Sequence, residues 1–150
     1  MPDALFEAHL TVRDLEVSIA FYRDVVGLEL AYVLQERPVA FFWIGGRGNA
    51  MLGLWSGSSS PNVMRLHVAF RTDLDAVLAS GEVLQAAGVQ PLDFHGHPTR
   101  EPSVIGWMPA VSVFFHDPDG HLLEYLSMLP HVARPEVGVV PYSEWIASWT

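Results

Sequence analysis

The sequence predicts an α+β fold of two repeated modules, each with the order strand, helix, strand, strand, strand. Three observations support this. Each half opens with a strand of alternating polar and apolar residues, an aspartate then stands where a helix begins, and short apolar runs complete the half. The modules are predicted at residues 5–56 and 63–129, within one domain of residues 1–129. A tail, residues 130–150, is expected to form a short helix.

The elements of the first module follow from its pattern. Residues 7–12 alternate between polar and apolar side chains, which predicts a half-buried strand. Asp14 is placed to cap the following helix, and Gly27 is placed to end it. Three more strands are predicted, at residues 28–35, 39–44 and 50–55. A stretch of small, turn-forming residues, 56–62, then separates the modules.

The second module repeats this order. Its opening strand is predicted at 63–70, and Asp73 is placed to cap a helix that ends at Gly88. The Pro/Gly-rich stretch 95–109 is predicted as a loop, and residues 117–120, Asp-Pro-Asp-Gly, have the composition of a type I turn. Three more strands are predicted, at residues 89–94, 110–115 and 122–127.

Composition excludes several classes of function. The net charge is −9, from eight basic and seventeen acidic residues, and no Lys/Arg cluster exists, so no nucleic-acid partner is expected. The absence of cysteine excludes a disulfide framework, a thiolate metal site and a cysteine nucleophile. No apolar run reaches membrane-spanning length, and the N-terminal residues do not resemble a signal peptide. We therefore expect a cytoplasmic protein without a membrane partner.

Three side chains on the predicted strands can ligate a metal: His9, His67 and Glu124. Each histidine lies on the polar face of the strand that opens its module, and curving the two sheets toward each other would bring both into one cleft. Glu124 lies between two leucines on the last strand, where an unpaired buried carboxylate is costly. Two imidazoles and one carboxylate are the minimum for an open catalytic metal site. The alternative is a salt bridge from Glu124 to an arginine such as Arg65.

Three other residues are candidates for substrate binding: Trp43, Arg100 and Trp107. An arginine can clamp an anionic substrate, but it is equally expected on an ordinary surface. The tryptophans can line an apolar pocket, and core packing is the alternative for each. His95 and His97 lie in a proline-rich loop, and we assign them to the rim of a substrate site or to a plain loop.

Two segments resemble the vicinal oxygen chelate superfamily: HLTVRDLEVSIAFYRDVVGLEL at the start and SVFFHDPDGHLLEYLS near the end. This superfamily contains glyoxalase I, bleomycin-resistance proteins, fosfomycin-resistance thiol transferases, methylmalonyl-CoA epimerase and extradiol dioxygenases. The resemblance covers roughly residues 5–129. It implies a glyoxalase-like cupped sheet around a cleft, a homodimer, and a divalent metal whose ligands match His9, His67 and Glu124. These nitrogen and oxygen donors are not selective among Mn²⁺, Fe²⁺, Ni²⁺ and Zn²⁺.

The resemblance implies a metal-dependent enzyme that binds a small substrate through two neighbouring oxygens, with lyase/isomerase or thiol-transferase chemistry. The sequence departs from the family at one position. Glyoxalase I enzymes typically carry another glutamate on the last strand of the first module, where this chain has Leu52 and Gly53. A three-ligand site is closer to the thiol transferases or dioxygenases. Two alternatives stay open: an extradiol-type ring-cleaving dioxygenase, and a metal-free protein that sequesters an antibiotic or metabolite.

Overall fold

The computed structural model describes Met1 and residues 4–57 and 64–149. The chain forms two compact units, each built around one mixed sheet, which confirms the predicted α+β class. The predicted linker, 56–62, lies mostly outside the described residues, as does residue 63, where the fifth strand was expected to begin.

Unit one comprises Met1–Leu66 together with the turn Asp117–Gly120. Its elements are β1 (Glu7–Thr11), α1 (Leu15–Asp24), β2 (Glu29–Val33), β3 (Val39–Ile44) and β4 (Ala50–Trp55). The strand order is β1-β4-β3-β2, with β1 parallel to β4 and the other neighbours antiparallel. The side chain of Asp14 accepts a hydrogen bond from the backbone N–H of Val17, which confirms the predicted cap.

One face of the sheet in unit one carries the core. Leu10, Phe42, Leu52 and Leu54 are almost fully buried there, and Tyr22 of α1 packs against Phe42. The opposite face of β1 presents residues 7, 9 and 11, because successive side chains of a strand point to opposite faces. The polar residues of the opening strand are thus left on the face away from α1.

Unit two comprises His67–His116 and His121–Thr150. Its elements are β5 (His67–Arg71), α2 (Leu74–Ala86), β6 (Ser103–Ile105), β7 (Ala110–His116), β8 (Leu122–Met128), β9 (Val139–Pro141) and α3 (Tyr142–Ala147). The strand order is β5-β8-β7-β6-β9, with β5 parallel to β8 and the other neighbours antiparallel. Asp73 caps α2 as predicted, because its side chain accepts from the N–H of Ala76.

The predicted strand at 89–94 is wrong. Only Leu92 pairs there, exchanging hydrogen bonds of 2.7 and 3.0 Å with Phe114. Pro91 has no N–H to donate, so a ladder cannot continue through it. The missing strand of the module is β6, which lies inside the stretch 95–109 that was predicted to be a loop.

The tail forms the short helix predicted from its sequence and, in addition, a strand. β9 pairs with β6, and α3 follows it directly. Trp145 of α3 is fully buried, so the helix packs against the rest of unit two. Its indole N–H donates to Nδ1 of His131 over 2.9 Å. No helix among the described residues is both long and apolar enough to cross a membrane.

Candidate functional site

The sheet of unit two brings two of the three predicted ligands together. Nε2 of His67, the first residue of β5, lies 3.0 Å from Oε2 of Glu124 on β8. Because β5 and β8 are parallel neighbours in which Ala69 faces Glu124, His67 lies diagonally across from the carboxylate. Glu124 is 4% exposed, whereas 48% of the His67 side chain is accessible. A buried carboxylate oxygen therefore lies beside an accessible imidazole.

A serine holds the same carboxylate from its other side. The hydroxyl of Ser112, fully buried on β7, donates to Oε1 of Glu124 over 2.5 Å. The partners of Glu124 are thus His67 and Ser112, whereas Arg65, the arginine considered from the sequence, belongs to unit one. Sequence reasoning missed Ser112, although it is the only polar residue in the run AVSVFF. A lone hydroxyl inside an apolar strand is a signal for a buried polar partner.

The third predicted ligand, His9, pairs within unit one. Its Nε2 lies 2.9 Å from Oε1 of Glu7, two residues earlier on the same face of β1. The imidazole stacks on Trp55 at 5.2 Å and meets the ring of Phe41 edge-on at 6.1 Å. Nε1 of Trp55 is buried and has no hydrogen-bond partner among the described residues. This N–H is available to an acceptor such as water or a substrate oxygen.

Of the two positions considered for the family's additional glutamate, Gly53 and Leu52, the one beside His9 is Gly53. Gly53 is the cross-strand partner of His9, whereas Leu52 is fully buried on the opposite face. A Cβ at Gly53 would lie 2.8 Å from Cδ2 of His9 and 3.2 Å from its Nε2. The ring of His9 therefore fills the space that a side chain on β4 would occupy.

The two parallel ladders show which residues of the modules correspond. In β1 and β4, Glu7 faces Met51, and in β5 and β8, His67 faces Leu122. The residue after each opening strand donates to the equivalent carbonyl of the partner strand, over 2.8 Å in unit one and 2.9 Å in unit two. The position of His67 is therefore matched by Glu7, two residues before His9. Because the offset is two residues, each histidine still lies on the equivalent face of its own sheet.

Each unit thus holds a histidine–glutamate pair on its sheet. Among the described residues, no three His, Asp or Glu side chains form a group that could hold a metal ion. An imidazole nitrogen and a carboxylate oxygen are donors that suit Mn²⁺, Fe²⁺, Ni²⁺ and Zn²⁺. The anchored carboxylate of Glu124 has the fixed orientation that a metal ligand needs. The donor types of each pair therefore suit a divalent ion, whereas neither pair alone has the three protein donors of a catalytic metal site.

The residues predicted to bind substrate lie in different settings. Trp43 is half-buried on β3 and lies in register with Met51, hence on the same sheet face as Glu7 and His9. Trp107 is 64% exposed in the turn between β6 and β7. Arg100 is exposed, and its carbonyl lies over Gly81 of α2. Trp43 is the candidate that shares a face with a donor pair, and the substrate-binding role of all three stays a prediction.

The loop histidines belong to a turn closed by Asp93. Oδ1 of Asp93 accepts the backbone N–H groups of His95 and His97, each over 2.8 Å. Nδ1 of His97 also lies 3.4 Å from Oδ2 of Asp93. These contacts explain the loop conformation by local hydrogen bonding, which agrees with a loop assignment.

Comparison with known proteins agrees with the fold. The model of the Glyoxalase/Bleomycin resistance protein/Dioxygenase superfamily matches residues 4–125. A lactoylglutathione lyase from Haemophilus influenzae is 28% identical over 132 residues, covering 78% of this chain and 87% of that protein.

Solved structures agree as well. The lactoylglutathione lyase of Agrobacterium tumefaciens has a TM-score of 0.63 at 26% identity, covering 84% of this chain and 94% of that one. An integron cassette protein from the mobile metagenome of the Halifax Harbour sewage outfall has a TM-score of 0.69 at 29% identity, covering 85% of this chain and all of that one. The predicted family is confirmed: the chain belongs to the glyoxalase/bleomycin resistance protein/dioxygenase superfamily.

Proposed function

We propose that this protein is a metal-dependent enzyme acting on a small substrate with two neighbouring oxygens. The observation that carries the proposal is the contact of His67 with Glu124, a carboxylate that is nearly buried and anchored by Ser112. Keeping an ionised carboxylate away from water is costly unless it is paired or binds a cation. A metal ligand role accounts for both its burial and the accessible imidazole beside it.

The proposed protein ligands are His9, His67 and Glu124. A bound Mn²⁺, Fe²⁺, Ni²⁺ or Zn²⁺ would supply Lewis-acid stabilisation of negative charge developing on the substrate oxygens. Ser112 fixes the carboxylate so that Oε2 of Glu124 faces His67. In unit one, the indole N–H of Trp55, which has no hydrogen-bond partner within residues 4–57 and 64–149, is available to orient a substrate oxygen beside His9.

We favour lyase/isomerase chemistry on a thiol adduct. Two relatives named lactoylglutathione lyase, 28% and 26% identical to this chain, support this choice over ring cleavage and over sequestration without metal. We further propose a homodimer in which the three ligands of one ion come either from one chain or from two copies.

The test is metal binding by protein purified without a metal-binding tag, measured by elemental analysis and titration. We expect wild-type protein to bind one divalent ion per chain, and E124Q and H67A to lose tight binding. H116A is the matched control, because His116 is an exposed histidine at the end of β7. Unchanged binding in E124Q and H67A would contradict the ligand assignment. For the wild type, glutathione-adduct isomerisation compared with oxygen uptake on catechols would then separate the lyase from the dioxygenase.

A further inference from the structure

We propose that His131 and Trp145 form a pH-sensitive latch, which holds the tail on unit two and releases it when His131 takes up a proton. The latch lies wholly within unit two. It joins the stretch after β8 to α3, and α3 directly follows β9, the strand that pairs with β6. The latch uses none of the proposed metal ligands, so it is independent of the proposed function.

The hydrogen bond that closes the latch requires a neutral imidazole. The indole N–H of Trp145 donates to Nδ1 of His131 over 2.9 Å. An indole nitrogen can only donate, and both nitrogens of a protonated imidazole carry a hydrogen. Protonation of His131 therefore places two donors against each other and removes the acceptor of Trp145. Because Trp145 is fully buried, leaving its N–H without an acceptor is costly.

The aromatic cluster around His131 already holds a cation. The imidazole stacks on Trp149, with 4.8 Å between ring centroids and 12° between planes. The guanidinium of Arg134 lies 5.3 Å from the centroid of Trp149 and 5.8 Å from that of Trp145. A protonated imidazole would be attracted to the face of Trp149, but repulsion from Arg134 opposes this gain. The cluster therefore gives little compensation for a charge on His131.

The carboxylates around the latch have other partners or lie in solvent. The ionisable residues in the segments that meet there, 101–109 and 129–149, are Glu101, Arg134, Glu136, Tyr142 and Glu144, besides His131 itself. Glu136 lies 3.5 Å from Nε of Arg134, and Oε1 of Glu101 accepts the backbone N–H of Ser143. Glu144 is exposed. Within residues 4–57 and 64–149, His131 has no carboxylate partner, so no ion pair stabilises its protonated form.

Release of the tail would uncover the edge of β6. Two backbone hydrogen bonds frame the pairing of β6 with β9. The N–H of Gly106 donates to the carbonyl of Gly138 over 2.8 Å, and the N–H of Tyr142 donates to the carbonyl of Pro102 over 2.9 Å. An unpaired strand edge can pair with another extended chain. The latch thus makes the availability of this edge depend on pH.

The latch should be stable at neutral pH and weaken as the pH falls. Histidine changes charge between about pH 5 and 8, and the closed latch uses the unprotonated ring, so acid favours release. An unperturbed histidine has a pKa of about 6.5, so a fall to about pH 5.5 favours release by about tenfold at most. One buried N–H without an acceptor accounts for a factor of about five or more. The expected change is therefore about 5- to 10-fold.

The test is hydrogen–deuterium exchange of the full chain, read by mass spectrometry at about pH 7.5 and about pH 5.5 and corrected for intrinsic exchange rates. We expect the protection of residues 139–147 to be about 5- to 10-fold lower at the lower pH. The protection of α2 should change by less than about twofold, which makes α2 the internal reference for global unfolding. H116N, at an exposed histidine that ends β7, is the matched control and should behave as wild type.

Two variants separate the latch from simple packing. H131N keeps an acceptor oxygen that cannot be protonated in this range, and W145F removes the donor. In both we expect the protection of the tail to be the same at the two pH values, whatever its absolute level. A wild-type tail without pH dependence, or an H131N tail with the pH dependence of wild type, overturns the proposal. Equal losses of protection in the tail and in α2 would indicate global unfolding and would also overturn it. Far-UV circular dichroism confirms that each variant is folded.

Discussion

Unit one and unit two each place an imidazole Nε2 about one hydrogen-bond length from a glutamate oxygen, yet the surroundings of the two pairs differ. In unit two, Glu124 is buried and Ser112 holds its second oxygen. In unit one, Glu7 and His9 are both partly exposed, and the ring is held by stacking on Trp55. Polar anchoring therefore fixes one pair and aromatic packing fixes the other, so the two pairs should respond differently to mutation.

The largest expected effect comes from mixing two variants, H9A and H67A, each of which should lose tight metal binding. If the ligands of one ion come from two chains of a symmetric dimer, a mixed dimer contains one intact site and one site with both substitutions. Random mixing should then restore metal binding to roughly a quarter of the wild-type site content. Subunit exchange followed by elemental analysis measures this. No recovery, in samples whose exchange is verified by mass spectrometry, would instead place all three ligands in one chain.

A smaller effect is expected from S112A, which removes the polar anchor of unit two. Glu124 loses a buried hydrogen bond, and we expect about 1–3 kcal/mol less unfolding free energy. We also expect an affinity for Ni²⁺ that is about 10- to 100-fold weaker, as for other outer-shell partners. S127A, at a buried serine on β8, is the control for loss of a hydroxyl in the same sheet. Equal metal affinity in S112A and S127A would show that Ser112 has only a structural role.

The smallest effect concerns a tyrosine in each unit. Burial and the neighbouring carboxylate of Asp117 hold the pKa of Tyr22 far above its ordinary value, and burial raises the pKa of Tyr125 to about 12. The hydroxyl of Tyr22 also donates to Asp117 over 2.9 Å. Because the folded pKa is raised in both, the stability from each group is complete below about pH 10, where the unfolded tyrosine titrates. It is lost as the pH rises toward the folded pKa.

Above about pH 10, Tyr22 should make the unfolding free energy of the wild type fall by about 1.4 kcal/mol per pH unit. We expect Y22F to lack this contribution to the decline. Y125F should also make the decline of unfolding free energy shallower, but only between about pH 10 and the folded pKa of Tyr125, about 12. Denaturant unfolding at several pH values up to about 11.5 measures both, with Y32F at an exposed position as the control. A decline as steep in Y22F as in wild type would contradict the assignment.

The sequence predicts most of the sheet elements because their signals are local. The limits of β3 and β4 agree with prediction, since each is an apolar run that ends at glycines or small residues. β6 could not be found, because three residues inside a Pro/Gly-rich stretch give no measurable period. The structure places His67 in contact with Glu124, and the predicted convergence of both with His9 on one ion stays a prediction. Ser112 could not be found from the sequence, because this required knowledge of which strand lies beside β8.

The register of β1 shows a second limit. Alternation has a period of two residues, so shifting a strand by two leaves every side chain on the same face. The pattern of polar and apolar residues is therefore equally satisfied whether Glu7 or His9 is matched with His67. Only the hydrogen-bonded ladder to β4 decides between them.

The strand that the tail adds to unit two has a consequence for solubility. A sheet that ended at β6 would offer unpaired backbone N–H and C=O groups to any other extended chain. β9 covers them with three residues that end in Pro141, and a proline cannot donate to a further strand. Trp145 in the following helix, α3, is fully buried and so holds β9 against unit two. β9 and α3 thus oppose aggregation through pairing of exposed sheet edges.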